Sequence, residues 1–349
     1  MRITSKAPCR VDLAGGTLDI WPLYLNHPGA VTLNFAIDRY TSCVIETRED
    51  TEIRLRSLDL NSDETFGSLA ELRATPKPKL PLPAYVLRFF GAAAGLSVDT
   101  HSEAPAGAGI AGSSALIIAI SSALNRLNGT RHEIEKLREI AQNIEAQIIR
   151  VPTGAQDYYP AMYGGMSAIE LGPAGIRRTE IVVDSDDFNE RIVLAYTGVP
   201  RESGINNWEV VKAYIDGDKK VHRNFDRITE IAVSMRRALE KQSWTEVARL
   251  LREEWSHRKK NAPGISTPLI DELVEATRRV GASGAKVCGA GGGGCVFFLV
   301  ERGARAKVSE AIELAGAKVL PIKLAMKGVR VDATRDATAH ASTAASYSR

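Results

Sequence analysis

The sequence predicts a two-domain α+β protein, and three observations carry that reading. A chain of 349 residues exceeds one ordinary domain at roughly 150 residues per domain. Strand-forming segments fill its first 60 residues, whereas helical stretches fill 204–281. Between them the acidic run Asp184-Ser185-Asp186-Asp187 makes the best seam, dividing the chain into domains at 1–185 and 186–333. Residues 334–349, rich in Ala, Ser and Thr with little bulky apolar content, read as a disordered tail.

Taken in order, Ala30–Ile37 and Ser42–Thr47 are rich in β-branched residues and Glu52–Arg56 alternates with period two, so all three read as strands. Four prolines between 76 and 84 make a loop. Tyr85–Ala94 reads as a helix and Leu96–Thr100 as a strand. A glycine-rich turn at 105–112 precedes helices at 113–127 and 132–149. In the second, Ile134, Leu137, Ile140, Ile144 and Ile148 recur at three and four and mark one buried face. Met166–Leu171 and Arg177–Val183 form a hairpin around Gly172-Pro173-Ala174-Gly175. A strand at 191–196, four helices between 204 and 281, strand–glycine loop–strand over 285–300, a helix at 303–315 and strands at 317–323 and 328–332 close the fold.

Apolar residues make up 44% and charged residues 25%, enough apolar surface to offset the entropy of ordering. The 45 Lys and Arg against 42 Asp and Glu leave a charge of +3, and 6% of the chain is aromatic, so no nucleic-acid surface announces itself. The longest apolar runs, Ala115–Ile120 and Cys295–Val300, are far shorter than the about 20 residues that cross a bilayer. Met1–Lys6 opens no signal-peptide segment. Four cysteines without a CxxC pair and six scattered histidines argue against a zinc site or disulfide framework and for a reducing cytoplasm.

Two loops, Gly107–Gly112 and Gly289–Gly294, match G-x-G-x-x-G. A strand follows the second, and the first has neither a following strand nor any acidic residue between Glu103 and Glu133, so the dinucleotide context is missing. No G-x-x-x-x-G-K-[ST] loop occurs. A Rossmann fold and a P-loop are both poor readings. The run from Pro105 to Ala115 is instead an anion-site candidate built without lysine. Its glycines let successive amides face one concavity, and the helix beginning near Ser113 adds its positive end. Ser113 and Ser114 can cap that helix, or one hydroxyl can ligate a phosphate-bound Mg²⁺. For an isolated segment the plain turn with an N-cap is commoner, by about two to one.

In its wider setting this segment resembles the second signature of the GHMP kinases (galactokinase, homoserine kinase, mevalonate kinase, phosphomevalonate kinase), a proline followed by a glycine loop and Ser-Ser-Ala. Ala7–Asp19 resembles the family's N-terminal sugar-binding signature, and Lys286–Cys295 is similar to its third. The likeness runs from about residue 3 to 332. It implies an N-terminal mixed α/β domain with a left-handed β-α-β phosphate loop, and a ferredoxin-like C-terminal domain. It also implies ATP, Mg²⁺ and a small-molecule substrate for a cytoplasmic monomer or homodimer, with no nucleic-acid or membrane partner. Gly15-Gly16 followed by Thr17 and Asp19 is more similar to the bacterial D-glycero-D-manno-heptose phosphate kinases and fucose kinases than to galactokinases. Those carry Asn, Glu and His where this chain has Asp12, Gly16 and Thr17. Leu18 stands where the heptose kinases have Thr. Asn34–Tyr40, Thr197-Gly198 with Arg201, and Lys259-Lys260 near Ile265–Pro268 add to the heptose-kinase likeness.

The resemblance assigns roles residue by residue. Gly107, Ala108, Gly109, Ile110, Ala111, Gly112, Ser113 and Ser114 would bind ATP, with Ile110 and Ala111 where Leu and Gly are usual. Gly291, Gly292 and Gly293 would buttress that loop. Asp157, in Gly154-Ala155-Gln156-Asp157-Tyr158, matches the Asp that takes the proton of the sugar hydroxyl, with Tyr158 in place of the usual Gln. Arg10 matches an arginine beside it. Phosphoryl transfer needs positioning and charge neutralisation more than covalent chemistry, so one carboxylate suffices. Taken alone, an Asp after a loop is a cap or surface charge about ten times as often. Glu145 matches a Mg²⁺ ligand acting with Ser114, although periodicity alone does not separate it from Glu133, Glu135 and Glu139 on a solvated face. Gly16, Thr17, Asp19 and Gly154 would bind substrate, Asp19 by accepting from paired hydroxyls; its plainer reading is a turn aspartate. The expected activity is phosphorylation of a sugar or sugar phosphate at its anomeric hydroxyl. The alternatives are a mevalonate- or homoserine-type kinase acting on a smaller acyclic alcohol, and a catalytically silent sugar sensor. Asp157, Glu145 and Ser114 argue against the sensor.

Overall fold

Two sheets organise the chain in the computed structural model, which describes residues 1–200 and 203–334. Arg201 and the expected tail beyond residue 334 lie outside the described residues. In the first sheet β1 (Arg2–Ala14) lies antiparallel to the long β2 (Val31–Thr47). β3 (Ile53–Ser57) pairs with β4 (Ser62–Phe66) and, in parallel, with β5 (Leu96–Ser102). β5 takes the second half of β2, and the hairpin β6 (Met166–Gly172)–β7 (Gly175–Ile181) takes the first. Five helices belong to this part: α1 (Leu69–Ala74), α2 (Pro81–Phe90), α3 (Gly112–Asn128), α4 (Ile134–Ile149) and α5 (Tyr158–Tyr163). The apolar face predicted for α4 is buried at Leu137, Ile140 and Ile144.

The acidic run at 184–187 has a local physical role. The Asp184 carboxylate accepts from the amides of Asp186 and Asp187 and caps α6 (Ser185–Glu190), as an N-cap aspartate does. The second sheet follows, with β8 (Ile192–Tyr196), β9 (Ala282–Val287), β10 (Cys295–Val300) and β11 (Lys318–Leu320) in the antiparallel order β11-β8-β10-β9. Helices α7 (Ser203–Ile215), α8 (Lys219–Glu240), α9 (Trp244–Arg258) and α10 (Pro268–Arg278) separate β8 from β9, and α11 (Arg305–Leu314) separates β10 from β11. That sequence is the β-α-β-β-α-β pattern of a ferredoxin-like unit, as expected. β12 (Arg330–Thr334) then returns to pair with β1 in the first sheet.

The two sheets share apolar contacts. Phe35 on β2 meets Phe188 edge-on at 4.9 Å and Phe297 on β10 at 5.6 Å, within one buried cluster drawn from both sheets. Two sequence expectations shift. The proline-rich stretch over 76–84 is not wholly a loop, because α2 starts at Pro81; a proline in the first helical turn lacks an N–H that would have no partner there. Gly91, at φ +70°, ends that helix before Ala94. The hairpin also turns earlier, so its second strand spans Gly175–Ile181 rather than 177–183. Among the described residues, no helix is long and apolar enough to cross a membrane.

Candidate active site

Folding sets Arg10, on β1, against Asp157, the residue just before α5. The guanidinium donates through Nε (2.9 Å) and Nη2 (2.6 Å) to one Asp157 oxygen, and through Nη1 to the Gly109 carbonyl (2.6 Å). One cation therefore ties this carboxylate to the glycine loop. The Arg10 side chain is 3% exposed and that of Asp157 26%, so the cation is sealed while the carboxylate opens to a cavity. Burial alone would lower the Arg10 pKa, but Asp157 and Asp12 hold it above its ordinary value.

The glycine loop curls through left-handed backbone at Gly107, Gly109 and Ala111. The Ala108 amide closes the turn onto Pro105 O (3.0 Å). Among the described residues the amides of Gly109, Ala111 and Gly112 have no backbone acceptor, so they remain available at the N-terminus of α3, where an anion is favoured. Ala111 is the N-cap residue and no side chain caps the helix. Ser113 and Ser114 instead donate to the two Glu145 oxygens, at 2.6 and 2.8 Å, and the Tyr158 hydroxyl donates to one of them at 2.6 Å. Burial pushes the Glu145 carboxyl up, against the pull of these three donors. Unlike Glu133 and Glu139, which are exposed on the same helix, Glu145 is buried. A carboxylate and hydroxyl oxygens at the positive end of a helix suit Mg²⁺, which takes few protein ligands and completes its shell with phosphate and water oxygens. Among the described residues no group of three or more His, Cys, Asp or Glu side chains gathers into a cage.

Asp19 follows the turn after β1, where Gly15 and Thr17 both adopt positive φ. A Cβ on Gly15 would run into Val31 O, so the chain folds back here only with glycine. The buried Asp19 carboxylate accepts from the Gln156 amide (2.9 Å) and Gln156 Nε2 (3.4 Å). Burial, reinforced by nearby Asp157, pushes its carboxyl up to about 6. Gly154 serves this arrangement by lacking a side chain, since a Cβ there would occupy the Asp19 carboxylate, and one on Gly16 would meet Gln156 Nε2 at 2.9 Å. Asn34 donates to Gln156 O (3.1 Å) and steadies the same segment from β2. Arg10, Thr17, Asp19, Asp157, Glu145 and the glycine loop all line one cavity of about 340 Å³, together with the apolar Leu60, Leu82 and Leu116. Leu18 packs instead in a buried cluster with Tyr159 and Trp255.

The third glycine segment meets the first at a different point from the one expected. The Gly292 amide bonds Ile265 O (2.9 Å), and a Cβ on Gly291 would approach that oxygen to 2.6 Å. Gly291 and Gly292 thus lean on Ile265, with Gly293 continuing the turn at φ +143°. The direct contact with the phosphate-type loop runs through Gly294, whose Cβ would lie 2.6 Å from Ala108 O, and through the Cys295 amide, which donates to that oxygen at 2.7 Å. The reason is that β10 starts at Cys295, and its first amide faces the loop.

Sequence reasoning assigned no role to Asp12, Lys286, Arg258 or Glu254, which form a buried charged layer beneath the cavity. The Lys286 ammonium pairs with the Asp12 carboxylate and donates to Asp12 O (3.1 Å), while the Gly289 amide donates to the other carboxylate oxygen (2.8 Å). Burial would raise the Asp12 carboxyl, yet Lys286, Arg10 and Arg258 hold it well below the usual range. Arg258 donates to Glu254 (2.7 Å) and to Gly16 O (3.0 Å). Asp12 and Lys286 lie inside the two outer signatures, but their pairing spans 274 positions and no spacing rule reveals it.

Residues 82–165 match the GHMP kinases N terminal domain, and residues 235–318 match the GHMP kinases C terminal domain. The chain belongs to the GHMP kinases. This GHMP kinase is 28% identical over 340 residues to the D-glycero-alpha-D-manno-heptose 7-phosphate kinase of Campylobacter jejuni, covering 94% of this chain and 98% of that one. It is 26% identical over 360 residues to the mevalonate kinase of Thermococcus sibiricus, covering 95% and 99%. A D-glycero-D-manno-heptose 1-phosphate kinase from Bacteroides thetaiotaomicron superposes with a TM-score of 0.76 at 23% identity, covering 95% of this chain and 99% of that one. Lactococcus lactis galactokinase, complexed with galactose, also gives 0.76, at 21% identity over 94% and 95%. These structures share the fold with this GHMP kinase, and its two family domains and curated relatives make it a phosphotransferase of that family.

Proposed function

We propose that this GHMP kinase transfers the γ-phosphoryl group of ATP to the anomeric hydroxyl of a sugar or sugar phosphate in the cytoplasm. The observation that carries this reading is the pair of carboxylates in one cavity, Asp157 held by Arg10 and Asp19 buried beside it. Asp19 has an oxygen for each of two hydroxyls, and an acceptor anchored there presents a third hydroxyl to Asp157. Asp157 takes that hydroxyl proton as the oxygen bonds to the γ-phosphorus and the bond to the β,γ-bridging oxygen breaks, releasing ADP. Arg10 places Asp157 and offers fixed positive charge where the phosphoryl group migrates. The amides of Gly109–Gly112 and the α3 N-terminus bind the phosphates. Glu145 and Ser114 would hold Mg²⁺, which supplies charge neutralisation on the phosphate oxygens when bound. Four cysteines outside any disulfide, all buried, are in keeping with a reducing compartment.

The deciding experiment is Asp157→Asn, assayed against a panel of hexoses, heptose phosphates and mevalonate. Turnover should fall about 10²–10⁴-fold while nucleotide and acceptor binding persist. Near-normal turnover of the folded variant removes Asp157 as the base. Activity confined to mevalonate moves the substrate class from sugar to acyclic alcohol.

A further inference from the structure

Lys286 carries a charge that phosphoryl transfer, as described, leaves without a task. It lies on β9 of the second sheet, with no exposed surface, and reaches across to Asp12 on β1 of the first. Asp12 is also 3.5 Å from Arg10. Two carboxylates, Asp12 and Asp157, are therefore within reach of one guanidinium, in a dry setting where an unbalanced charge is strongly felt. Lys286 takes one Asp12 oxygen and the Gly289 amide takes the other. Arg10 makes both of its side-chain hydrogen bonds to a carboxylate with Asp157, at 2.9 and 2.6 Å.

We propose that Lys286 is a positioning residue for phosphoryl transfer: by neutralising Asp12 it leaves Arg10 committed to Asp157 and, through Gly109, to the phosphate-binding loop. The inference rests on Asp157 being the base. The same Asp12 carboxylate holds the Gly289 amide, so the third glycine segment is pinned to β1 by the group that Lys286 neutralises. The charged and titratable groups facing Asp157 are Arg10 from β1, Asp19 from the turn after it, Glu145 from α4 and Tyr158 at the head of α5. Among these described groups Arg10 is the cation, and its alternative partner is Asp12.

The test compares Lys286→Met, Asp12→Asn and the double variant with wild type, by steady-state kinetics and by thermal melting. Lys286→Met should lower kcat about 10²-fold, the scale of a misplaced reacting group. Both KM values should stay within about threefold. Asp12→Asn, which removes the competing carboxylate, should cost less kcat than Lys286→Met. The double variant, with no second carboxylate to draw Arg10 away, should recover most of the lost kcat. A double variant as slow as Lys286→Met overturns the proposal, as does a Lys286→Met enzyme changed only in melting temperature. An Asp12→Asn enzyme with a lower kcat than Lys286→Met overturns it too. If Lys286→Met does not fold, Asp12→Asn and the double variant decide by the same readouts. Asp157→Asn run alongside separates the two assignments: full turnover there removes the base itself, whereas an inactive Asp157→Asn beside an unaffected Lys286→Met removes only the positioning role.

Discussion

Asp19 and Asp157 are two carboxylates in one cavity with different surroundings, and that difference makes a pH prediction. Asp157 has a guanidinium; Asp19 has an amide, a carboxamide and the repulsion of Asp157. The Asp19 carboxyl, raised from 3.8 to about 6, adds stability below about pH 4 that is withdrawn as the pH rises through about 6. Hydroxyl donors from a bound acceptor favour its ionised form, so acceptor affinity should strengthen across the same interval. Asp19→Asn should weaken acceptor binding at pH 8, flatten its pH dependence, and leave nucleotide affinity unchanged. The free variant should also gain on wild type by on the order of 2–3 kcal/mol between pH 4 and pH 8, since each unit is about 1.4 kcal/mol. Calorimetry of both ligands and urea unfolding at the two pH values check this. Acceptor affinity falling as pH rises would remove Asp19 from the acceptor site. The sequence makes Asp19 the best hydroxyl acceptor, with a turn aspartate as its plainer reading. Its burial against Gly154 could not be read from either segment alone.

At the scale of elements, the site hangs on loops whose shape depends on what lies across from them. The start of β10 supplies the amide that holds Ala108 O, and Gly294 has room for a hydrogen but not a methyl there. Gly294→Ala adds both a backbone contact at 2.6 Å and a strained φ of +75°. It should therefore displace the phosphate-type loop, weakening nucleotide affinity about tenfold or more, on a strain of 1–3 kcal/mol. Gly303→Ala, where φ is +81° but nothing lies within 4 Å, is the control: it shares the strain and should leave nucleotide binding intact. Equal loss in both would show that stability, not the loop contact, is responsible. Glycine-rich segments flanking a strand and a helix are plain in the sequence. That Gly294 rather than Gly291 touches Ala108 follows from where β10 begins, which depends on its pairing with β8 and β9.

Over the whole molecule, the apolar cluster that joins Phe35, Phe188 and Phe297 makes the two sheets thermodynamic partners. The return of β12 to β1 ties the far end of the chain to its beginning. We expect a single calorimetric unfolding transition, with Phe297→Ala lowering stability by about 3–5 kcal/mol and leaving one transition. Two separated transitions in wild type would show that the halves fold independently.

The class of this protein is written in its hydrophobic period and glycine spacing, local properties that a one-dimensional pattern preserves. The strand-rich opening, the α4 face of Leu137, Ile140 and Ile144, the β-α-β-β-α-β order of the second half and the residues of three signatures were all legible there. Helix α2 starts within the prolines, because proline breaks a helix interior but not its first turn. The resemblance placed Arg10 beside Asp157, but the other buried charge contacts come from the folding of distant segments. Lys286 reaches Asp12 across 274 positions, and Arg258 reaches the Gly16 carbonyl across 242. Their geometry is set by two sheets packing together, and Coulomb forces in a buried layer depend on that distance in space, not on separation along the chain.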